Sequence, residues 1–155
     1  MSLICEDGSG KSDSESYISV ADASNYHTVR GNTAWAALAS DTVREQCLRK
    51  ATDYMEQVYR SRWQGCRVGE TQALSWPRYD IEVEGYAVDS DIVPTEVKNA
   101  CAELALKASA AELNPDLTQG VLSEQVGSIQ VTYDKASPQF TRYRAIDALL
   151  SPYLK

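Results

Sequence analysis

A glycine-rich segment near the N-terminus ends like a phosphate-binding loop. Gly8–Ser12 reads GSGKS, but Cys5 stands where the pattern G-x-x-x-x-G-K-[ST] requires its first glycine. The residues that follow include Asp13 and Glu15, which would repel phosphate and do not begin an amphipathic helix. We therefore do not expect a nucleotide to bind at this segment.

Other residue types that support catalysis are sparse. His27 is the only histidine, so it would have to serve as the sole imidazole base, and no nucleophile motif accompanies it. Glu82 and Glu84 share one face of a short predicted strand, but one carboxylate pair in an acidic stretch specifies neither a glycosidase nor a metal site. The sequence thus predicts a protein that is not an enzyme, with no catalytic residues, no metal site and no cofactor.

The four cysteines are widely separated and form no C-x-x-C pair. No run of apolar residues is long enough to cross a membrane, and the first residues lack the basic and apolar regions of a signal peptide. In the cytoplasmic chain that this predicts, the cysteines are expected to be free thiols. Cys47 and Cys101 fall on the apolar faces of predicted helices and are expected in the core.

Two tryptophans lie in the most basic part of the chain. Trp63 and Trp76 belong to the segment Arg44–Arg78, which has seven basic residues, whereas Asp80–Glu103 has seven acidic residues and one lysine. Aromatic and basic side chains together can stack and hold single-stranded nucleic acid. Alternatively the tryptophans pack a loop onto the core and the arginines bind carboxylates, a reading that the formal net charge of −7 favours.

The hydrophobic pattern predicts one mostly helical domain over residues 1–155. Residues 1–16 are rich in Gly, Ser and acids and are expected to be a flexible arm. Capping residues and apolar periodicity predict helices at Val20–Arg30, Ala34–Ala39, Ser40–Tyr59, Glu96–Leu113 and Arg142–Leu150. Strand patterns predict one hairpin at Leu122–Val126 and Ile129–Tyr133, and a shorter one at Ile81–Val83 and Tyr86–Val88.

Several segments, in order along nearly the whole chain, resemble the head–tail connector (adaptor) proteins of tailed bacteriophages. Some members of this family are labelled DnaT-like single-stranded DNA-binding proteins. The segments that carry the resemblance are Glu6–Gly10, Ser16–Ala23, Arg30–Trp35, Lys50–Tyr54, Gln72–Arg78, Val93–Pro94 with the alanine-rich helix after it, and Val126–Tyr133.

The resemblance implies a mainly α fold, a small helical bundle with a β-hairpin and a protruding C-terminal segment. It also implies a structural subunit of the phage neck, in which identical copies form a ring, commonly of twelve, beneath the portal. Such a ring joins the portal protein to the next neck or tail protein (a stopper or the tail tube). Genomic DNA passes through its channel without specific binding, and no membrane is involved. The protein would be made in the host cytoplasm and reside in the virion.

Three groups of residues are expected to form contacts in such a ring, two of them implied by the resemblance and the third by the uneven charge along the chain. The C-terminal segment 142–155 would dock on the portal through Tyr143, Ile146, Leu149, Leu150, Tyr153 and Leu154. The hairpin would face the next ring through Val126, Gly127, Ile129, Val131 and Tyr133. Charge patches between subunits would use Arg60, Arg62, Arg67, Arg78, Glu82, Glu84, Asp89 and Asp91.

Two alternatives to the ring subunit remain open on the sequence. One is a single-stranded DNA-binding module, and the other is an unrelated helical interaction domain. The segment between Arg60 and Val93 has no role implied by the resemblance. If the adaptor interpretation holds, deletion of Ser151–Lys155 is expected to leave a folded monomer that cannot join a portal.

Overall fold

The computed structural model describes residues 2–117, 123–132 and 140–155. Within these ranges there are five α-helices and six short strands. The helices are α1 (Val20–Val29), α2 (Thr33–Ala36), α3 (Asp41–Tyr59), α4 (Thr95–Ala108) and α5 (Arg144–Leu150), and a 3-10 turn covers Ser151–Tyr153. The strands are β1 (Cys66–Arg67), β2 (Arg78–Tyr79), β3 (Glu82–Val83), β4 (Tyr86–Ala87), β5 (Ser123–Val126) and β6 (Ile129–Thr132).

The predicted mainly α fold is wrong, because the domain is a mixed α/β one. Of the described residues, 40% are helical and 14% are extended, and the strands form three separate antiparallel two-stranded sheets, β1–β2, β3–β4 and β5–β6. The β1–β2 pair was not predicted. Its strands have two residues each and are eleven or more positions apart in sequence, so no local alternation of polar and apolar residues announces them.

The core forms where α3 packs against α4, with α1 and α5 beside them. Leu48 and Met55 of α3 and Val97 and Leu104 of α4 are fully buried. Cys47 and Cys101 are also buried, as predicted. The bounds of α3 agree with the prediction because Ser40 caps the helix, its Oγ accepting a hydrogen bond from the Val43 amide at 3.4 Å.

Helix α4 ends five residues before its predicted end at Leu113. The Ser109 hydroxyl donates to the Leu106 carbonyl at 2.6 Å, and the Ala110 and Ala111 amides both donate to Lys107, which tightens the chain into a turn. The turn buries Leu113 against the core. Burial of one leucine thus overrides the helix propensity of the alanines.

The predicted flexible arm is instead held against the body of the domain. The backbone of Glu6 pairs with Ser16 at 2.9 Å, and the Ala73 amide donates to the Lys11 carbonyl at 2.9 Å. Gly8 has φ +102°, and a Cβ there would lie 1.9 Å from the Asp91 carbonyl oxygen, so only glycine fits this approach. These contacts hold the N-terminal segment in place, although its composition is typical of a flexible arm.

The hairpin β5–β6 has a two-residue turn at Gly127 and Ser128, as the sequence predicted. The predicted ends at Leu122 and Tyr133 lie outside the described residues. No helix among the described residues is long and apolar enough to cross a membrane.

Candidate nucleic-acid interface

The segment that resembles a P-loop binds an anion that belongs to the chain itself. The buried Glu6 carboxylate accepts hydrogen bonds at 2.9 Å from the amides of Gly8, Gly10 and Lys11. The Ser14 hydroxyl donates to the same group at 3.1 Å. Backbone amides that would face a phosphate in a P-loop are therefore already occupied, and the segment is a structural loop.

The two tryptophans proposed as stacking platforms are inside the core. Trp63 is 1% exposed and Trp76 is 0% exposed, and their rings meet edge to face with centroids 5.5 Å apart. Trp76 also meets the ring of Tyr153 in the same geometry at 5.7 Å. Neither indole face is open to a base, so single-stranded nucleic acid cannot stack on them.

Arg78 is likewise a structural residue. Its guanidinium is buried and donates to the backbone carbonyls of Gln64 at 2.7 Å, Gly65 at 2.7 Å and Ser75 at 3.1 Å. Burial lowers the pKa of this guanidinium from its usual value. Arg67 is half-buried and donates to the Gln72 carbonyl at 3.0 Å, so both arginines hold the loop together.

The remaining residues of the predicted charge patches lie at the surface. They are Arg60, Arg62, Glu82, Glu84, Asp89 and Asp91. The ion pairs found among the described residues join other side chains, of Lys11, Arg44 and Arg49. The exposed charges are thus available for an external partner, with the arginines and the acids on different segments.

The C-terminal segment predicted to dock on a portal packs into this domain. Ile146, Leu150 and Tyr153 are buried in the core, while Tyr143, Leu149 and Leu154 are half-buried against it. The Tyr153 hydroxyl donates to Glu96 Oε2 on α4 at 2.7 Å. The segment was predicted to protrude, but its apolar side chains complete the core.

The β5–β6 hairpin is exposed on both faces. Antiparallel register pairs Val126 with Ile129 and Glu124 with Val131, so these four side chains share one face. Val126 is 79% exposed, Ile129 68% and Val131 45%. The opposite face carries the polar residues Ser123, Gln125, Gln130 and Thr132. The hairpin therefore presents an apolar face that no other described part of the chain covers.

Basic and aromatic side chains lie near one another where α5 packs beside α3 and α4. Lys107 Nζ lies 5.6 Å from the ring centre of Tyr143, and Arg142 and Arg144 flank that tyrosine in sequence. Arg142 also lies 5.8 Å from the ring centre of Phe140, which is an exposed aromatic residue. A cation therefore lies within about 6 Å of each of the two rings, those of Phe140 and Tyr143.

Further contacts between aromatic rings connect Tyr143 to the end of α3. The rings of Tyr143 and Tyr54 meet edge to face at 5.5 Å, and Tyr54 in turn meets Tyr59 at 6.4 Å. Arg62 lies 5.3 Å from the ring centre of Tyr59. We call Arg62, Lys107, Arg142 and Arg144 the cationic strip. Among the described residues, no carboxylate lies within ion-pair distance of any of the four.

Sequence reasoning missed the cationic strip as a unit. Lys107 precedes Arg142 by 35 positions, and only the packing of α5 on α4 brings them near each other. One local signal was present, because basic and aromatic residues alternate in Phe140, Arg142, Tyr143 and Arg144. The resemblance instead assigns residues 142–155 to a docking segment.

Among the described residues, no group of three or more His, Cys, Asp or Glu side chains is placed to hold a metal ion. His27 is buried in α1 and acts as a structural residue. Its Nε2 lies 2.9 Å from the Ala102 carbonyl oxygen and its Nδ1 lies 3.0 Å from Asn32 Nδ2. The ring therefore ties α1 to α4 as a neutral imidazole that donates from Nε2 and accepts at Nδ1.

Comparison with models of protein families gives a match over residues 1–155. The matching family is described as "Putative DnaT-like ssDNA binding protein". No curated protein and no solved structure matches the chain.

Proposed function

Since the chain belongs to the DnaT-like single-stranded DNA-binding protein family, we propose that it binds single-stranded DNA through the cationic strip. The observation that carries this proposal is that cations lie beside neighbouring aromatic rings, Lys107 at Tyr143, Arg142 at Phe140 and Arg62 at Tyr59. Among the described residues none of these cations forms an ion pair. Phosphates would lie along the cations, and the exposed ring of Phe140 offers a face to a base.

The net charge of −7 does not oppose this binding mode. Phosphates respond to the local potential, which screening confines to about 10 Å at 0.1 M salt. The exposed acids in and around the β3–β4 hairpin belong to a different part of the chain from the helices that carry the strip. Four phosphate contacts predict a slope of roughly −3 in a plot of log K against log salt concentration for a single strand.

The decisive experiment compares two lysines on one helix. Lys107 and Lys98 both lie on α4, nine residues apart, which places them on opposite sides of the helix. The substitutions Lys107→Glu and Lys98→Glu change the net charge equally. Affinity for a labelled oligodeoxynucleotide of about 20 nucleotides is measured by fluorescence anisotropy.

We expect Lys107→Glu to weaken binding by about tenfold, because a cation beside a phosphate becomes an anion. Lys98→Glu is expected to leave the affinity nearly unchanged. Equal weakening by both variants would mean that only total charge matters. Absence of binding by the native chain at about 50 mM salt would refute the proposal altogether.

A ring subunit at the phage head–tail interface is the second candidate, and one observation favours it. The apolar face of the β5–β6 hairpin is uncovered, and apolar faces of that kind mark protein contacts. In this proposal identical copies form a ring in the virion neck, the hairpin contacts the next neck or tail protein, and the portal is a further partner. The exposed arginines that follow α3 and the exposed acids in and around the β3–β4 hairpin supply complementary contacts between subunits.

Assembly tests this second candidate separately from DNA binding. Sedimentation velocity and electron microscopy of the chain, alone and mixed with a portal protein, report rings or portal complexes. The triple variant Val126→Ser, Ile129→Ser and Val131→Ser should abolish complexes that form through the hairpin. Absence of any assembly by the native chain would remove the candidate, whatever the result with DNA.

A further inference from the structure

A cleft of about 350 Å³ lies next to the cationic strip, between α3 and the turn that follows α4. Its floor is formed by the buried side chains of Tyr54, Ala108 and Leu113. Tyr143 borders it, since the Tyr143 hydroxyl donates to the Leu113 carbonyl at 3.3 Å and its ring contacts Tyr54. Single-stranded DNA bound by the cations near Tyr143 would therefore pass the mouth of the cleft.

The rim of the cleft is polar and exposed. It is formed by Lys50, Asp53, Gln57, Glu112 and Asn114. Asn114 Nδ2 donates to Gln57 Oε1 at 3.1 Å, which leaves the Gln57 amino group and the Asn114 carbonyl oxygen free to contact a ligand. An apolar floor with a few convergent polar groups is the usual composition of a small-molecule site, and the volume lies at the low end of the common range, about 300–1,000 Å³.

The charges on the rim decide which part of a nucleotide fits. Asp53 and Glu112 supply two carboxylates against one ammonium from Lys50, so a phosphate is disfavoured inside the cleft. A carboxylate instead accepts a hydrogen bond from an amino group, as Asp and Glu do with N4 of cytosine. The flat faces of a base suit the apolar floor, and its polar edge suits the rim.

We propose that this cleft receives one unstacked base of the bound strand and prefers bases that carry an exocyclic amino group. Cytosine, adenine and guanine have such a group. Thymine has none, and its one base donor, N3–H, lies between two carbonyl oxygens, which the carboxylates of Asp53 and Glu112 repel. This inference rests on the proposed DNA-binding function and adds a selectivity to it. The cations hold the backbone without regard to sequence, and the cleft distinguishes the base.

Oligomers of deoxycytidine and deoxythymidine test the selectivity, because both bases are pyrimidines of similar size. At neutral pH we expect the native chain to bind the deoxycytidine oligomer about five- to tenfold more tightly. Asp53→Asn and Glu112→Gln should reduce that ratio toward one. Glu70→Gln, which removes an exposed carboxylate outside the cleft, should leave the ratio unchanged.

A variant that closes the cleft provides an independent check. Ala111 lies exposed on its rim, so Ala111→Trp fills the entrance without disturbing the core. This variant should lose the preference for deoxycytidine and retain the salt dependence of binding. Equal affinity of the native chain for both oligomers would overturn the cleft proposal alone. Failure to bind either oligomer would instead overturn the proposed function.

Discussion

The hydroxyl of Tyr59, at the end of α3, donates a 2.5 Å hydrogen bond to Asp147 Oδ1 on α5. This bond links α3, which Arg62 follows closely, with α5, which begins at Arg144. Burial, followed by the hydrogen bond to Asp147, raises the pKa of Tyr59 well above its usual value. The bond therefore persists at neutral pH and fixes the two ends of the cationic strip relative to each other.

Removal of that hydroxyl should affect both stability and DNA binding. We expect Tyr59→Phe to lower the free energy of unfolding by about 1–2 kcal/mol and to weaken oligonucleotide binding several-fold. Tyr26→Phe is the matched control, because the Tyr26 hydroxyl donates to Glu103 at 2.8 Å between α1 and α4. That variant should lose similar stability in urea unfolding while its DNA affinity stays native. Equal losses of affinity would show that the Tyr59 bond does not position the strip.

Substitution of Glu6 should lower stability strongly, because its carboxylate holds the N-terminal loop together. Glu6→Ala leaves three buried or half-buried amides without their acceptor, so unfolding free energy should fall by roughly 2–4 kcal/mol. Asp7→Ala, the next residue, removes an exposed carboxylate paired with Lys11 and should change stability little. Urea unfolding followed by circular dichroism measures both. A flexible arm would make the two variants indistinguishable.

His27 predicts a loss of stability in mild acid. Burial lowers the pKa of His27 below the ordinary 6.5, and Arg30 lowers it further. The Ala102 carbonyl and Glu103 raise it, but by less. The unfolded chain therefore binds the proton more readily, so this contribution to stability is complete above pH 6.5 and is lost as the pH falls through the lower folded value. Unfolding free energies at a series of pH values should show this decline, and His27→Gln should remove it. A pH dependence that survives the substitution must come from other groups.

Tryptophan fluorescence should report folding and not DNA contact. Trp35, Trp63 and Trp76 are all buried, so we expect an oligonucleotide titration to change anisotropy of the labelled DNA without quenching tryptophan emission. Iodide should also quench the emission poorly before and after binding. Strong quenching by DNA would require the core around Trp76 to open, which contradicts the structure described here.

Deletion of Ser151–Lys155 is expected to unfold the domain, contrary to the folded monomer that the sequence predicted. The truncation removes Tyr153 from the core, the bond from the Gln64 amide to the Tyr153 carbonyl at 3.0 Å, and the bond from the Lys155 amide to Arg62 at 2.8 Å. Loss of a buried aromatic side chain alone costs about 3–5 kcal/mol. A thermal melt of the truncated chain measures this. Lys155→Ala, which keeps the backbone bond, should melt like the native chain.

Local signals in the sequence were enough to place the longer elements. Ser19 and Ser40 cap α1 and α3 where predicted, since a cap depends on residues within one turn of helix. The alternation around Gly127 likewise predicted the β5–β6 hairpin. The same short range explains the wrong fold class, because the β1–β2 pair depends on contacts between Cys66 and Tyr79 across a loop.

By itself, then, the sequence determined the positions of the helices, the β5–β6 hairpin and the core positions of Cys47 and Cys101, all of which follow from periodicity, capping and turn residues. Tertiary structure alone decided which aromatic and basic residues face solvent. Trp63, Trp76 and Arg78 are in the most basic segment, but the tryptophans are packed in the core and Arg78 donates to backbone carbonyls. Lys107 is distant in sequence from Tyr143 and lies beside its ring because α5 packs on α4. Exposure and burial depend on such long-range contacts.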